Sequence, residues 1–183
     1  MNILNRNCFK NLSGIKFRYQ SFSSSPFILF TTSHEVFQVV DKDQSVKPTI
    51  RIGISEFQLN NLGSINKISP LVEVGRVVDP SKPVCELEWD GFQISAADEL
   101  YHTIWENASG TWTVSSFPLP TRLLRYNPEF LEKPSKLEES DGLNWLVELE
   151  PLGKLKTEDV KNFCNKDIHW NVMGEAKYLE FIE

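Results

Sequence analysis

Residues 52–65, IGISEFQLNNLGSI, join a strand to a helix and stop that helix within one short stretch. Ile52 and Ile54 share a parity with Val46 and Ile50, as a strand with one buried face requires. Ser55 followed three residues later by Gln58 is a capping box, and Gly63 is the residue type that ends a helix in a left-handed turn. The stretch therefore predicts a strand, about a turn and a half of helix over 56–62, and a sharp exit. Upstream, VFQVV (36–40) reads as a strand leading into the polar turn DKDQ, and Pro48 suggests an edge position for the strand that follows it.

Downstream the chain continues as short strands: LVEVGRVV (71–78), VCELEW (84–89), GTWTVSS (110–116) and NWLVELE (144–150). Asp90-Gly91 has the composition of a hairpin turn, since both residue types tolerate positive φ. Many short strands and one short helix predict a mainly β domain, a small barrel or sandwich. At 183 residues the chain is long enough for a single core and short for two full domains. SFPLPTRLLRYNPEFLEKPSKLEES (116–140), with Arg122 and Arg125 among four prolines, reads as a packed connection between strands rather than a binding groove. The tail from Thr157, a helix-capping residue, ends as an amphipathic helix, with Phe163, Trp170 and Tyr178 as its docking side chains.

Charge divides the chain. Before the first acidic residue, Glu35, stand only the cations Arg6, Lys10, Lys16 and Arg18, interleaved with apolar residues and followed by SFSSS. That is the composition of a mitochondrial transit peptide, so residues 1–33 are expected to be a leader to the matrix, cleaved between Tyr19 and Pro26. The whole chain carries a formal charge of −6, and loss of the basic leader would make the remainder more acidic. Nucleic acid is thereby disfavoured as a partner, because phosphate contacts need clustered Lys and Arg. No apolar run approaches the roughly 18–20 residues of a transmembrane helix. The cysteines Cys8, Cys85 and Cys164 and the histidines His34, His102 and His169 are too scattered to propose a metal site.

IGISEFQLNNLGSI resembles the glycine cleavage system H protein family, in which a strand ending in G-I-T/S leads to a short helix closed by L-G-D. HEVF (34–37), Val74-Gly75, Ser109-Gly110, DGLNWLVELEP (141–151) and MGEAKYLEF (173–181) are similar to further motifs of that family, in the same order. The resemblance covers 34–183. It implies a barrel-sandwich hybrid, the lipoyl-domain fold, over 34–151, with a C-terminal helical extension over 152–183 packed on it. Members of the family are not enzymes: a lysine at a hairpin tip, within E-S-V-K-A-x-S-D-L-Y-x-P-x-x-G, carries lipoate as the aminomethyl arm of glycine decarboxylation.

That lysine is missing. Anchoring the motif at Glu88 puts Gly91 in its place, and anchoring at Ser109-Gly110 puts Glu99 there, with Ile104 and Trp105 for L-Y. The anchors differ by the eight residues from Gly91 to Glu99, which implies an insertion in the hairpin, and no lysine occurs between Lys82 and Lys133. Cys85 lacks the reach to substitute and reads as core. Within the insertion, Ser95 and Asp98 are helix-capping types and Leu100, Tyr101, Ile104 and Trp105 recur at helical spacing. Tyr101, Thr103 and Trp105 would instead share one strand face. A strand over 101–106 after a short helical turn near 95–99 is preferred. Asp98 and Glu99 are read as a solvated pair, without the companions of an acid-base site.

Two functions follow. In one the chain is a mitochondrial H-protein homologue without lipoate or other cofactor, an interaction subunit presenting Phe92, Ile94, Asp98, Glu99, Tyr101 and Trp105 to protein partners. Those partners are either glycine cleavage system components or another large mitochondrial complex. In the alternative it is a divergent working H protein, the aminomethyl carrier.

Overall fold

A computed structural model of the protein describes residues 27–40, 48–97, 103–139, 144–153 and 172–182, with the backbone alone at 93–97, 103–105 and 172. Among the described residues ten strands form two sheets. The larger has the order β10-β1-β2-β3-β9-β8-β5 and the smaller β4-β6-β7. The strands are β1 Phe27–Thr31, β2 Glu35–Val40, β3 Thr49–Ile54, β4 Ser64–Pro70, β5 Val77–Val78, β6 Pro83–Ala97, β7 Thr103–Ser115, β8 Thr121–Tyr126, β9 Trp145–Pro151 and β10 Val172–Met173. Among the described residues four short helices accompany them: α1 Glu56–Leu62, α2 Pro128–Glu132, α3 Lys136–Glu139 and α4 Glu175–Ile182. This is the mainly β, barrel-sandwich architecture that the strand pattern and the H-protein resemblance anticipated.

The core follows from strand alternation. Ile50, Ile52 and Ile54 on β3 are buried while Arg51 between them is partly exposed. They meet Phe37, Leu87, Val114, Phe117, Leu123, Val147 and Leu149 between the sheets. Each fully buried side chain of this size stabilises the fold by about 1.5–3 kcal/mol. A smaller cluster on the other face joins Phe30, Val36, Met173 and Tyr178, with Phe30 and Tyr178 stacked at 4.4 Å, and docks α4 on β1. Phe163 and Trp170, the other expected docking residues, lie outside the described residues, as does Thr157.

Half of the expected capping box is formed: Ser55 Oγ accepts from the Gln58 N–H at 3.2 Å and Gly63 closes the helix at φ 83°, while the Ser55 N–H donates to the His34 carbonyl at 2.9 Å instead of to the Gln58 side chain. Other expectations are corrected. β3 is interior, between β2 and β9, so Pro48 precedes the ladder and marks no edge. Within LVEVGRVV only Val77–Val78 pair, because Gly75 at φ 88° and the Arg76 N–H to Glu73 carbonyl bond turn the chain there. The 116–140 segment contains strand β8, whose Thr121, Leu123 and Tyr126 are buried while Arg122 and Arg125 face out. The sheet also takes in Phe27–Thr31, ahead of the boundary expected at 33, with Phe30 opposite both Val36 and Met173.

Candidate functional site

The hairpin β6–β7 dominates the smaller sheet. Its lower part, from Pro83 opposite Ser115 to Asp90 opposite Ser109, is backed by β4, which pairs with β6 from Pro70 and Cys85 up to Ser64 and Asp90. Beyond Asp90 the two strands continue as a two-stranded ribbon: Gly91 faces Ala108, Phe92 faces Asn107, Ile94 faces Trp105 and Ala97 faces Thr103. Inward-facing Cys85, Leu87 and Val114 anchor the lower part, all fully buried. Burial pushes the Cys85 thiol up to about 12, so it remains a protonated core group.

Asp90-Gly91 is therefore no turn. Gly91 sits within β6 without a positive φ, and its missing side chain serves a close approach: a Cβ there would lie 2.6 Å from the Leu62 carbonyl oxygen. Gly63 meets the Asp90 carbonyl oxygen in the same way, also at 2.6 Å from a Cβ placed on it. The end of α1 thus packs directly on β6 at the level where β4 support ends. Residues 95–97 are strand rather than a helical turn, and the strand preferred over 101–106 is present from Thr103. An extra residue on β6 between Ile94 and Ala96 shifts the register in the ribbon.

Of the expected interaction residues, Phe92 is 69% exposed on the ribbon. Ile94 and Trp105 are register partners. Asp98, Glu99 and Tyr101 lie outside the described residues. The hairpin contains no lysine, and the lysines flanking it in sequence stand elsewhere. Lys82 is at its base, where the Ser116 N–H bonds to the Lys82 carbonyl, and Lys133 follows α2. Lys67 on β4 is committed to Glu88 at 2.6 Å, an ion pair that raises its pKa. A lipoyl amide needs a lysine Nζ, and the hairpin offers none.

The structure also gathers groups that the sequence did not single out as a site. The buried Glu35 carboxylate accepts from Thr31 Oγ1, from Ser33 Oγ at 2.6 Å and from the Ser115 N–H at 3.3 Å, so the tight β1–β2 turn is tied to the end of β7. Beside it, His34 at φ 71° places Nδ1 2.8 Å from the Tyr178 hydroxyl, which is 2.8 Å from Ser55 Oγ. Burial lowers the His34 pKa, against the opposing pull of Glu35. On the outer face of the larger sheet, Glu148 is buried between Arg125 at 2.7 Å and Arg51 at 3.5 Å, and both guanidiniums lie over the Trp145 ring. Among the described residues no group of three or more His, Cys, Asp or Glu could hold a metal ion, and no helix is long and apolar enough to cross a membrane.

Among solved structures, the chain is similar to the crystal structure of a glycine cleavage system H protein from Mycobacterium marinum. The match has a TM-score of 0.54 and 13% sequence identity, over 85% of this chain and 95% of that one. The fold is that of an H protein. No family model matches the sequence, and neither does any curated protein. At this identity the H-protein likeness fixes the architecture, and function has to be argued from the hairpin.

Proposed function

We propose that this chain is an H-protein-like module that carries no lipoate and acts through contacts with protein partners in the mitochondrial matrix. One observation carries the reading: the hairpin of the H-protein fold persists but runs on past Asp90 as a ribbon with no lysine anywhere in it. Gly91, one candidate for the vanished position, is held within a strand against α1. Glu99, the other, has a carboxylate where an amine would be required. The ribbon, with Phe92 exposed, Ile94 paired to Trp105, and Asp98, Glu99 and Tyr101 in its sequence, is the proposed contact region. Trp and Tyr supply much of the energy at protein interfaces. The basic, acid-free start supports import into mitochondria.

Mass spectrometry of the intact protein recovered from cells tests both parts. The expected mass lacks a lipoyl increment and lacks residues up to a point between Tyr19 and Pro26. A lipoyl increment on any lysine would overturn the reading in favour of a divergent carrier, and an intact Met1 on organelle-bound protein would overturn the import. Glu99→Lys is expected to be modified weakly or not at all by a lipoate ligase, because the surrounding hairpin has changed as well.

A further inference from the structure

The two edges of the smaller sheet are treated differently. The β4 edge is closed: the Glu138 carboxylate accepts the Ile65 N–H at 2.7 Å, α2 and α3 pack beside the strand, Lys67 stands on it and Pro70 ends it. Lysine, proline and covering helices are the usual means of blocking an edge. β7, the opposite edge, is 13 residues long and has neither lysine nor proline. The irregularities of the hairpin fall on β6, which has an extra residue between Pro83 and Cys85 and another between Ile94 and Ala96, while β7 runs without one.

The direction of the β7 backbone groups can be read from its end. The Ser115 N–H points away from β6, to Glu35. Along a regular strand the N–H and C=O groups of alternate residues point the same way. Those of Asn107, Ser109, Thr111 and Thr113 therefore face outward as well, and among the described residues nothing pairs with them. Their side chains are exposed, polar and uncharged. They lie beside an acidic row on β6, with Thr113 opposite Glu86, Thr111 opposite Glu88 and Ser109 opposite Asp90. On its other face β7 carries the partly buried Trp112, packed against the core.

We infer that the outer edge of β7 is a docking site for an extended segment of a partner protein in which basic and apolar residues alternate. The backbone of that segment would complete the β7 ladder. Its basic side chains would cross the Ser/Thr row chiefly toward Glu86, since Glu88 already holds Lys67 at 2.6 Å and Asp90 accepts from Asn66 Nδ2 at 2.6 Å, and its apolar side chains would extend the face that holds Trp112. The inference rests on the reading of the chain as a docking module, and it concerns a surface distinct from the ribbon tip.

The test measures amide hydrogen exchange of the full chain with a synthetic decamer of alternating lysine and valine. Exchange at the four outward β7 amides is expected to slow by about tenfold or more with the peptide in excess, and the effect should fade in about 0.5 M salt. Thr111→Pro should abolish it, since proline removes an outward donor but no bond to β6. Glu86→Gln leaves the backbone intact and should weaken peptide binding severalfold with an unchanged melt, which keeps the test decisive if the proline variant does not fold. Slowing at other strands only, no slowing, or equal binding of a glutamate-valine decamer would overturn the inference. So would protection of the same amides without peptide, which would assign the edge to a second copy or to the chain's own basic segment. A lipoyl increment in the intact mass would refute the proposed function and leave the edge result standing.

Discussion

The lower and upper parts of the β6–β7 hairpin share one backbone ladder and differ in what lies behind it. Below Asp90 the strands have β4 on one side and the core beneath, with Cys85, Leu87 and Val114 fully buried. Above it no third strand pairs with them among the described residues, α1 touches only the first step at Gly91, and Phe92, the first aromatic of the ribbon, is exposed. A two-stranded hairpin is weakly stable by itself in water. Ladder pairing is therefore what the described ribbon backbone shows, while burial sets the stability of the base.

The largest expected effect tests that division directly. Leu87→Ala should destabilise the protein by about 2–5 kcal/mol, the cost of emptying a fully buried leucine site, whereas replacing 92–106 by a short turn should leave the thermal melt nearly unchanged. Equal losses would show that the ribbon is part of the cooperative unit. A smaller effect is expected at the junction. Gly91→Ala would drive a methyl group into the Leu62 carbonyl, whose oxygen is backbone and cannot swing aside, so about 1–3 kcal/mol should be lost by denaturant titration. A neutral result would mean that α1 can slide off β6.

The smallest effect involves pH and is confined to the supported body. Burial lowers the His34 pKa below its ordinary value, so between the two values the unfolded chain binds more protons than the folded one. Stability is then full above the ordinary histidine value of about 6.5 and declines as pH falls below it. His34→Gln should flatten that slope. Amide exchange in the ribbon, corrected for the intrinsic pH effect, should not follow it.

What the sequence made legible was local. The α1 cap needs only Ser55, Gln58 and Gly63, neighbours whose chemistry is independent of the rest of the fold, and the Ile50-Ile52-Ile54 alternation reports its buried face directly. The missing lysine was equally plain. Asp90-Gly91 misled because glycine serves two ends, positive φ and close approach, and only the arrival of Leu62 from another element distinguishes them. Val74-Gly75 looked continuous with a strand until Gly75 took a positive φ. Pro48 could not report that β9, nearly a hundred residues later, would cover the strand that follows it. Glu35 gave no local sign of a site, because Ser115, one of its donors, reaches it only through the tertiary fold.

The pairing of β1 with β10 bears on how the protein is made. Thr31 lies opposite Val172 and Phe30 opposite Met173. Because β10 lies so far along the chain, the far side of β1 stays bare until Val172 and Met173 arrive, whether from the ribosome or through an import channel. During that interval the nascent chain exposes Phe30 and Val36, which Tyr178 and Met173 will later cover. A binder of unfolded chains would find its target there, on β1 and β2, until the C-terminal residues arrive.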